Sequence, residues 1–247
     1  MKKIATAIIL FIMSVSVQAF TLVIDAGHGG RDGGALGRKS KEKNINLAVA
    51  LELGRLVEQN CPDVKVVYTR KTDMFVELTE RADIANKAKA DLFISIHTNA
   101  LAKGRISRGT ETYTLGMHKA AENLAVAQRE NSVITLESDY KTRYEGFDPK
   151  SSESYIIFEF MQDKNMEQSV KLAKEVQLQF SSTAGRINKG VYQAGFLVLR
   201  ETVMPSILVE LGYISTPDEE NYLSSTAGQK ALAKSIYRGF KKYKDRL

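Results

Sequence analysis

The sequence predicts one α/β domain: a mostly parallel six-stranded sheet flanked by helices, with a long helical insertion near the candidate active site. Three observations lead there. Strand-length apolar runs alternate with stretches of helical period, the pattern of a doubly wound sheet. The runs Val23-Ile24, Phe93-Ile94 and Ile207-Leu208-Val209 are continuous rather than alternating, as in strands covered on both faces. Each also ends close to a residue that can hold a metal or move a proton. A chain of 247 residues, 43% of them hydrophobic, suits one core better than two independent ones.

Taken in order, residues 21–26 read as the first strand. Residues 42–59 follow as a helix, with Ile45, Ala48, Val49, Leu51, Leu53, Leu56 and Val57 at helical spacing. Val64–Thr69 is the second strand, Glu77–Ala90 a helix with a small apolar face, and Leu92–His97 the central strand. Thr110–Leu115 reads as a strand at or near an edge. Phe196–Leu199 and Ser206–Val209 complete six, and Gln229–Tyr243 is a closing amphipathic helix. In such sheets ligands collect beyond the carboxyl ends of the strands. His28, His97 and Glu210 lie there.

Residues 1–19 stand apart. Lys2 and Lys3 precede an apolar stretch from Ile4 to Val17, and Val17-Gln18-Ala19 supplies small residues for cleavage. This is the pattern of a secretory signal peptide, leaving residues 20–247 as the mature chain in the periplasm or cell envelope. As a helix, the fourteen residues of this stretch would rise about 21 Å, short of the roughly 30 Å hydrocarbon core, so no stable membrane span is expected after cleavage. Cys61 is the single cysteine, so no internal disulfide can form, and it is assigned no chemistry. The formal charge of +6 would favour an anionic envelope polymer. The basic residues are scattered without interleaved aromatics, which speaks against nucleic acid and is equally the pattern of a solvated surface.

Residues from about 120 to 189 interrupt the alternation. His118 reads as an exposed residue at a helix start. Ser132–Ser152 is polar and without a sustained period, a helix begins near Ser151 or Ser152, and another runs from Met166 to Phe180. Nearly seventy residues between two strands exceeds a normal crossover, which marks this region as an insertion with a purpose.

The chemistry concentrates at four positions. His28 sits in Gly27-His28-Gly29-Gly30, Glu42 opens the first helix, His97 ends the central strand and Glu210 ends a late one. Read alone, each has an ordinary explanation: a strand-end histidine is usually hydrogen bonded, and Glu42 would suit a helix N-terminus. Glu210 is harder to dismiss, because a carboxylate after Ile207-Leu208-Val209 is costly to bury unless paired or functional. Together they supply what a zinc hydrolase needs: three protein ligands, an open fourth position and a separate carboxylate base.

The motifs Asp25-Ala26-Gly27-His28-Gly29-Gly30, Glu42-Lys43-Asn44-Ile45-Asn46-Leu47, Ser95-Ile96-His97-Thr98-Asn99-Ala100 and Pro205-Ser206-Ile207-Leu208-Val209-Glu210 carry a resemblance. The chain resembles the zinc-dependent N-acetylmuramoyl-L-alanine amidases of the cell-separation type over essentially all of its mature length. The resemblance implies one zinc ion (Zn2+) bound by His28, Glu42 and His97, with Glu210 as the catalytic carboxylate. It implies peptidoglycan as substrate, cut between the lactyl group of N-acetylmuramic acid and L-alanine of the stem peptide, in cell separation and wall turnover. It further implies that part of residues 130–165 covers the site until an activator protein displaces it, with Glu145, Asp148, Glu153 or Glu159 approaching the metal. Tyr155, Ile156 and Phe158 are expected to be exposed as an activator's docking face.

Asp25 and Asn99 are candidate outer partners of the ligands. Arg70 and Arg81 are either substrate contacts or ordinary salt-bridging arginines. Thr98 and Thr216 depart from the expected small or polar residues without touching the chemistry. Two rival readings remain: another exported zinc amide hydrolase, such as an exopeptidase or deacetylase, and a catalytically dead wall-binding module.

Overall fold

The computed structural model describes residues 19–159 and 164–247; the expected leader lies outside them apart from Ala19. Six strands form one sheet: β1 (Phe20–Ala26), β2 (Val64–Tyr68), β3 (Leu92–Asn99), β4 (Thr110–Leu115), β5 (Asn188–Ala194) and β6 (Ser206–Tyr213). Their spatial order is β2-β1-β3-β6-β4-β5. Every neighbouring pair is parallel except β4–β6, which is antiparallel.

Alternate side chains of the buried strands feed two cores. Leu22, Ile24, Ile94, Ile96, Ile207 and Val209 face one side. There they meet Ile45, Val49 and Leu53 of α1 (Glu42–Asn60), and Ile236 and Phe240 of the closing helix. Val23, Phe93 and Leu208 face the other, where they join the cluster containing Leu78 and Ala85 of α2 (Leu78–Lys87) and Val126 and Ala127 of α3 (Ala121–Asn131). Double coverage is why β3 and β6 carry no polar alternation until their carboxyl ends. Among the described residues, no helix is long and apolar enough to cross a membrane.

Three sequence expectations change here. Phe196–Leu199 is not a strand: Leu197–Arg200 forms a helical turn, and the sixth strand is Asn188–Ala194. A four-residue apolar run is ambiguous in period, and this one is buried by the second core rather than by sheet pairing. The true strand lies at the sheet edge with Asn188 and Tyr192 exposed, so it lacks the apolar run of a central strand.

Secondly, the irregular region 120–189 is not one excursion. After α3 come a 3-10 turn (Ser132–Leu136), α4 (Tyr140–Arg143) and a 3-10 helix (Glu153–Glu159) in place of the expected α-helix. The next helix, α5 (Met166–Ala184), belongs to the main core through Leu172, Ala173, Val176 and Phe180. It is the crossover that parallel pairing of β4 with β5 demands. It lies close against the last helix, where a Cβ on Gly239 would collide with the Val176 backbone. After β5 the chain continues through α6 (Leu197–Arg200), β6, α7 (Pro217–Ser224) and α8 (Thr226–Lys244).

Thirdly, Tyr155 and Phe158 are buried, while Ile156 and Ile157 are exposed. Tyr155 and Phe158 pack edge-to-face with Phe147 and anchor the excursion to the second core. His118 is half-buried, its ring edge-on to Tyr155.

Arg70 and Arg81 are both buried and act on the backbone rather than on a ligand surface. Arg81 pairs with Asp25 at 2.7 Å and donates to the carbonyls of Ala26 and His28. Arg70 donates to the carbonyls of Ala26, Gly27 and Lys43. Burial opposes charge on Asp25, but Arg81 and the Ser95 and Thr69 hydroxyls outweigh it and hold the carboxyl below its usual range. Arg81→Met should therefore cost about 3–5 kcal/mol of stability, because it leaves Asp25 charged and unpaired in the core. Urea unfolding measures this, and adding Asp25→Leu to the variant should recover part of the loss.

Candidate active site

His28, Glu42 and His97 meet beyond the carboxyl ends of β1 and β3. The turn after β1 bends sharply because Gly27 lies against the His97 ring, where any Cβ would collide. His28 itself takes a left-handed backbone, φ 62°, a conformation more open to histidine than to most residues. The carbonyl contacts of Arg70 and Arg81 hold that turn, so His28 Nε2 is aimed before any ligand arrives.

Glu42 is the first residue of α1 and fully buried. Its Oε1 accepts from the Thr98 backbone N–H at 2.7 Å and from Asn46 Nδ2 at 3.2 Å. Its Oε2 accepts from the Ala35 N–H at 2.7 Å. Glu42 Oε1 lies 3.2 Å from His28 Nε2 and 3.3 Å from His97 Nδ1.

The outer partner of His28 is Asp32, not Asp25 or Asn99. Asp32 Oδ2 lies 2.7 Å from His28 Nδ1, which leaves Nε2 free to present a lone pair. Asp25 is committed to Arg81, Thr69 and Ser95, and Asn99 faces Glu111 and Arg129.

A fourth group joins them: Glu130, at the end of α3. Its Oε2 lies 2.9 Å from His28 Nε2 and 2.7 Å from His97 Nδ1. None of these three atoms has a hydrogen-bond partner among the described residues, although all are buried. The ligand atoms of His28, Glu42, His97 and Glu130 lie within 4.8 Å of one another. Buried donor atoms that converge without satisfying one another are the signature of a common missing partner. Two imidazoles and two carboxylates at this spacing fit a divalent metal ion in a four-coordinate shell.

The electrostatics agree. Burial opposes protonation of His28 and His97, yet the surrounding carboxylates prevail. His28 is driven well above its usual value and His97 up to about 9. The site draws positive charge to the point where a cation would sit. Asp32→Asn should lower metal affinity about 10–100-fold by releasing the His28 ring from its tautomer. Competition with a chromogenic chelator reads that loss, and unchanged affinity would sink the assigned role of Asp32.

Glu210 pairs in register with His97 across β3 and β6. It is fully buried, with Oε2 unpartnered and Oε1 3.2 Å from Arg129 Nη2. Burial, together with Glu130 and Glu42, raises its carboxyl well above the usual range against the opposing pull of Arg129. Such a carboxylate accepts a proton readily.

The four acidic candidates of the excursion, Glu145, Asp148, Glu153 and Glu159, are all exposed and absent from this cluster. Glu130 takes the place expected of one of them, because α3 enters over the strand ends before the polar stretch begins. Sequence reasoning missed Asp32, Arg129 and Glu130. A signal existed for the last: Glu130 falls three and four residues after Ala127 and Val126, on the buried stripe of α3.

The family model Amidase_3, described as N-acetylmuramoyl-L-alanine amidase, matches residues 22–242. N-acetylmuramoyl-L-alanine amidase AmiC of Escherichia coli O6:H1 is 35% identical over 236 residues, covering 92% of this chain and 53% of the relative. AmiA of Escherichia coli K12 is 30% identical over 225 residues, covering 90% and 75% respectively. The chain thus spans about half of the first relative and three quarters of the second. Among solved structures, an N-acetylmuramoyl-L-alanine amidase from Clostridium difficile 630 superposes with a TM-score of 0.68 at 30% identity, covering 92% of this chain and 98% of its own. The catalytic domain of CwlV from Bacillus (Paenibacillus) polymyxa var. colistinus gives 0.66 at 32% identity, with the same coverage. Matching sequence, matching fold and a metal-ready cluster at the strand ends agree: the chain belongs to the N-acetylmuramoyl-L-alanine amidase family.

Proposed function

We propose that this chain hydrolyses the amide between the lactyl group of N-acetylmuramic acid and L-alanine of the peptidoglycan stem peptide. The observation that carries the reading is the convergence of His28 Nε2, His97 Nδ1 and Glu42 Oε1 on one point, with Glu210 beside His97 on the next strand. His28, Glu42 and His97 would hold zinc, and zinc supplies Lewis acidity and a more acidic water when bound. Glu210 takes a proton from the attacking water and passes it to the departing alanine nitrogen. Water oxygen adds to the lactyl carbonyl carbon, the C–N bond breaks, and a carboxylate and an ammonium result. No covalent enzyme intermediate is needed.

The same reading places the protein in the cell envelope, in cell separation and wall turnover, after removal of residues 1–19. It also makes α3 a gate. Glu130 stands where a fourth ligand would be, and Arg129 holds the base. Activity then requires α3 to leave, which is the step an activator protein would drive.

Mass spectrometry of digested peptidoglycan tests the reaction. Release of intact stem peptides and of glycan with free lactyl groups is the expected result. Acetate release would instead indicate a deacetylase, free terminal amino acids an exopeptidase, and wall binding without hydrolysis a dead module.

A further inference from the structure

At one register, three polar side chains stand in a row across neighbouring strands. His97 on β3 pairs with Glu210 on β6, and Glu210 pairs with Glu111 on β4. Glu111 is buried and accepts from Tyr213 Oη at 2.7 Å, Tyr113 Oη at 2.9 Å and Asn99 Nδ2 at 3.1 Å. Because Glu111 accepts from the NH2 of Asn99, Asn99 Oδ1 is turned away from it. That oxygen faces the space beside Glu210.

Arg129 fills this space. Its Nη1 donates to Asn99 Oδ1 at 2.9 Å and to the Ala100 carbonyl at 2.9 Å, and its Nη2 donates to Glu210 Oε1 at 3.2 Å. Three acceptors from three residues therefore converge on one cation immediately beside the base. The adjacent residue, Glu130, puts its carboxylate against His28 and His97. Asn99, Ala100 and Arg129 also border a cavity of about 430 Å³, lined further by Leu101, Arg105, Tyr113, Lys189 and Tyr213.

The proposed hydrolysis makes two charged groups from one amide. A carboxylate forms at the carbonyl carbon beside the metal ligands, and an ammonium forms on the nitrogen that Glu210 protonates. The Arg129-Glu130 pair likewise sets a carboxylate against the two histidines and a cation against Glu210. We propose that Glu210, Asn99 Oδ1 and the Ala100 carbonyl form the subsite for the leaving amine of L-alanine, which Arg129-Glu130 occupies as an internal substitute for the two products. Glu111 is a positioning residue that sets the orientation of the Asn99 amide. The cavity beyond takes the rest of the stem peptide. This assignment rests on the amidase reading for which amide is cut, but the subsite is testable by binding alone.

The test uses L-alanyl-D-glutamate, which has a free amine, and its N-acetyl form, which does not. Both are titrated by NMR into the Arg129→Ala/Glu130→Ala protein, with and without zinc. The free amine should bind about tenfold tighter or more, as a charged donor meeting three acceptors does. The wild-type protein should bind it more weakly than the double variant does. Adding Asn99→Leu should abolish the preference and adding Asn99→Asp should keep it. Equal binding of the two peptides to the double variant would overturn the subsite, a result that needs no Asn99 variant to fold. Cleavage of peptidoglycan without amine preference would overturn the subsite alone. Amine preference without stem-peptide release would overturn the amidase reading and leave the subsite standing.

Discussion

Glu210→Gln should lower stem-peptide release about 10²–10⁴-fold, the range spanned by a positioned general acid and base. The substitution preserves size and leaves an oxygen to accept from Arg129, so the three metal ligands and the core beneath them keep their places. The variant should therefore bind metal as the parent does, measured by elemental analysis alongside turnover. Glutamine cannot collect the water proton or hand it to nitrogen. Turnover within tenfold of the parent would show that another group carries the proton. Loss of metal together with activity would show instead that Glu210 belongs to the metal shell.

Glu130→Ala should work in the opposite direction and raise the activity of the isolated protein. Glu130 lies against both imidazoles and is itself held by Arg129, with Arg129 Nη2 at 2.6 Å from its other oxygen. Burial opposes its charge, but Arg129 and the histidines hold the carboxyl well below its usual range. Removing a charged contact of this kind shifts the closed–open balance by about 1.5–3 kcal/mol, hence roughly 10–100-fold in the open population. Arg129→Ala/Glu130→Ala should exceed the single variant, because Arg129 also occupies the space beside Glu210. An assay of peptide release without any activator decides the matter. Unchanged activity in both variants would mean that α3 does not gate the site.

The parts of this protein legible in the sequence were those with a local signature. Continuous apolar runs gave β1, β3 and β6, since strands covered on both faces have no polar alternation to hide them. Helical spacing gave α1, α2, α5 and α8 within a few residues. His97 and Glu210 stood out because chemistry-bearing side chains directly following apolar runs are costly unless used, whereas His28 was marked by the glycines around it and Glu42 by the motif that carries the resemblance. Where local signature failed, so did the reading. The edge strand Asn188–Ala194 has too little burial to look like a strand, and Phe196–Leu199 has too much to look like a turn.

By itself the sequence located five of the six sheet-forming segments, singled out four candidate residues for the reaction and carried the family resemblance. Tertiary structure alone decided which acidic group stands at the fourth position, which residue braces His28, and what Arg129 and Asn99 face. The physical reason is distance along the chain. Glu130 lies 102 residues after His28, and only the docking of α3 over the strand ends turns a charge on a helical stripe into a contact of 2.9 Å.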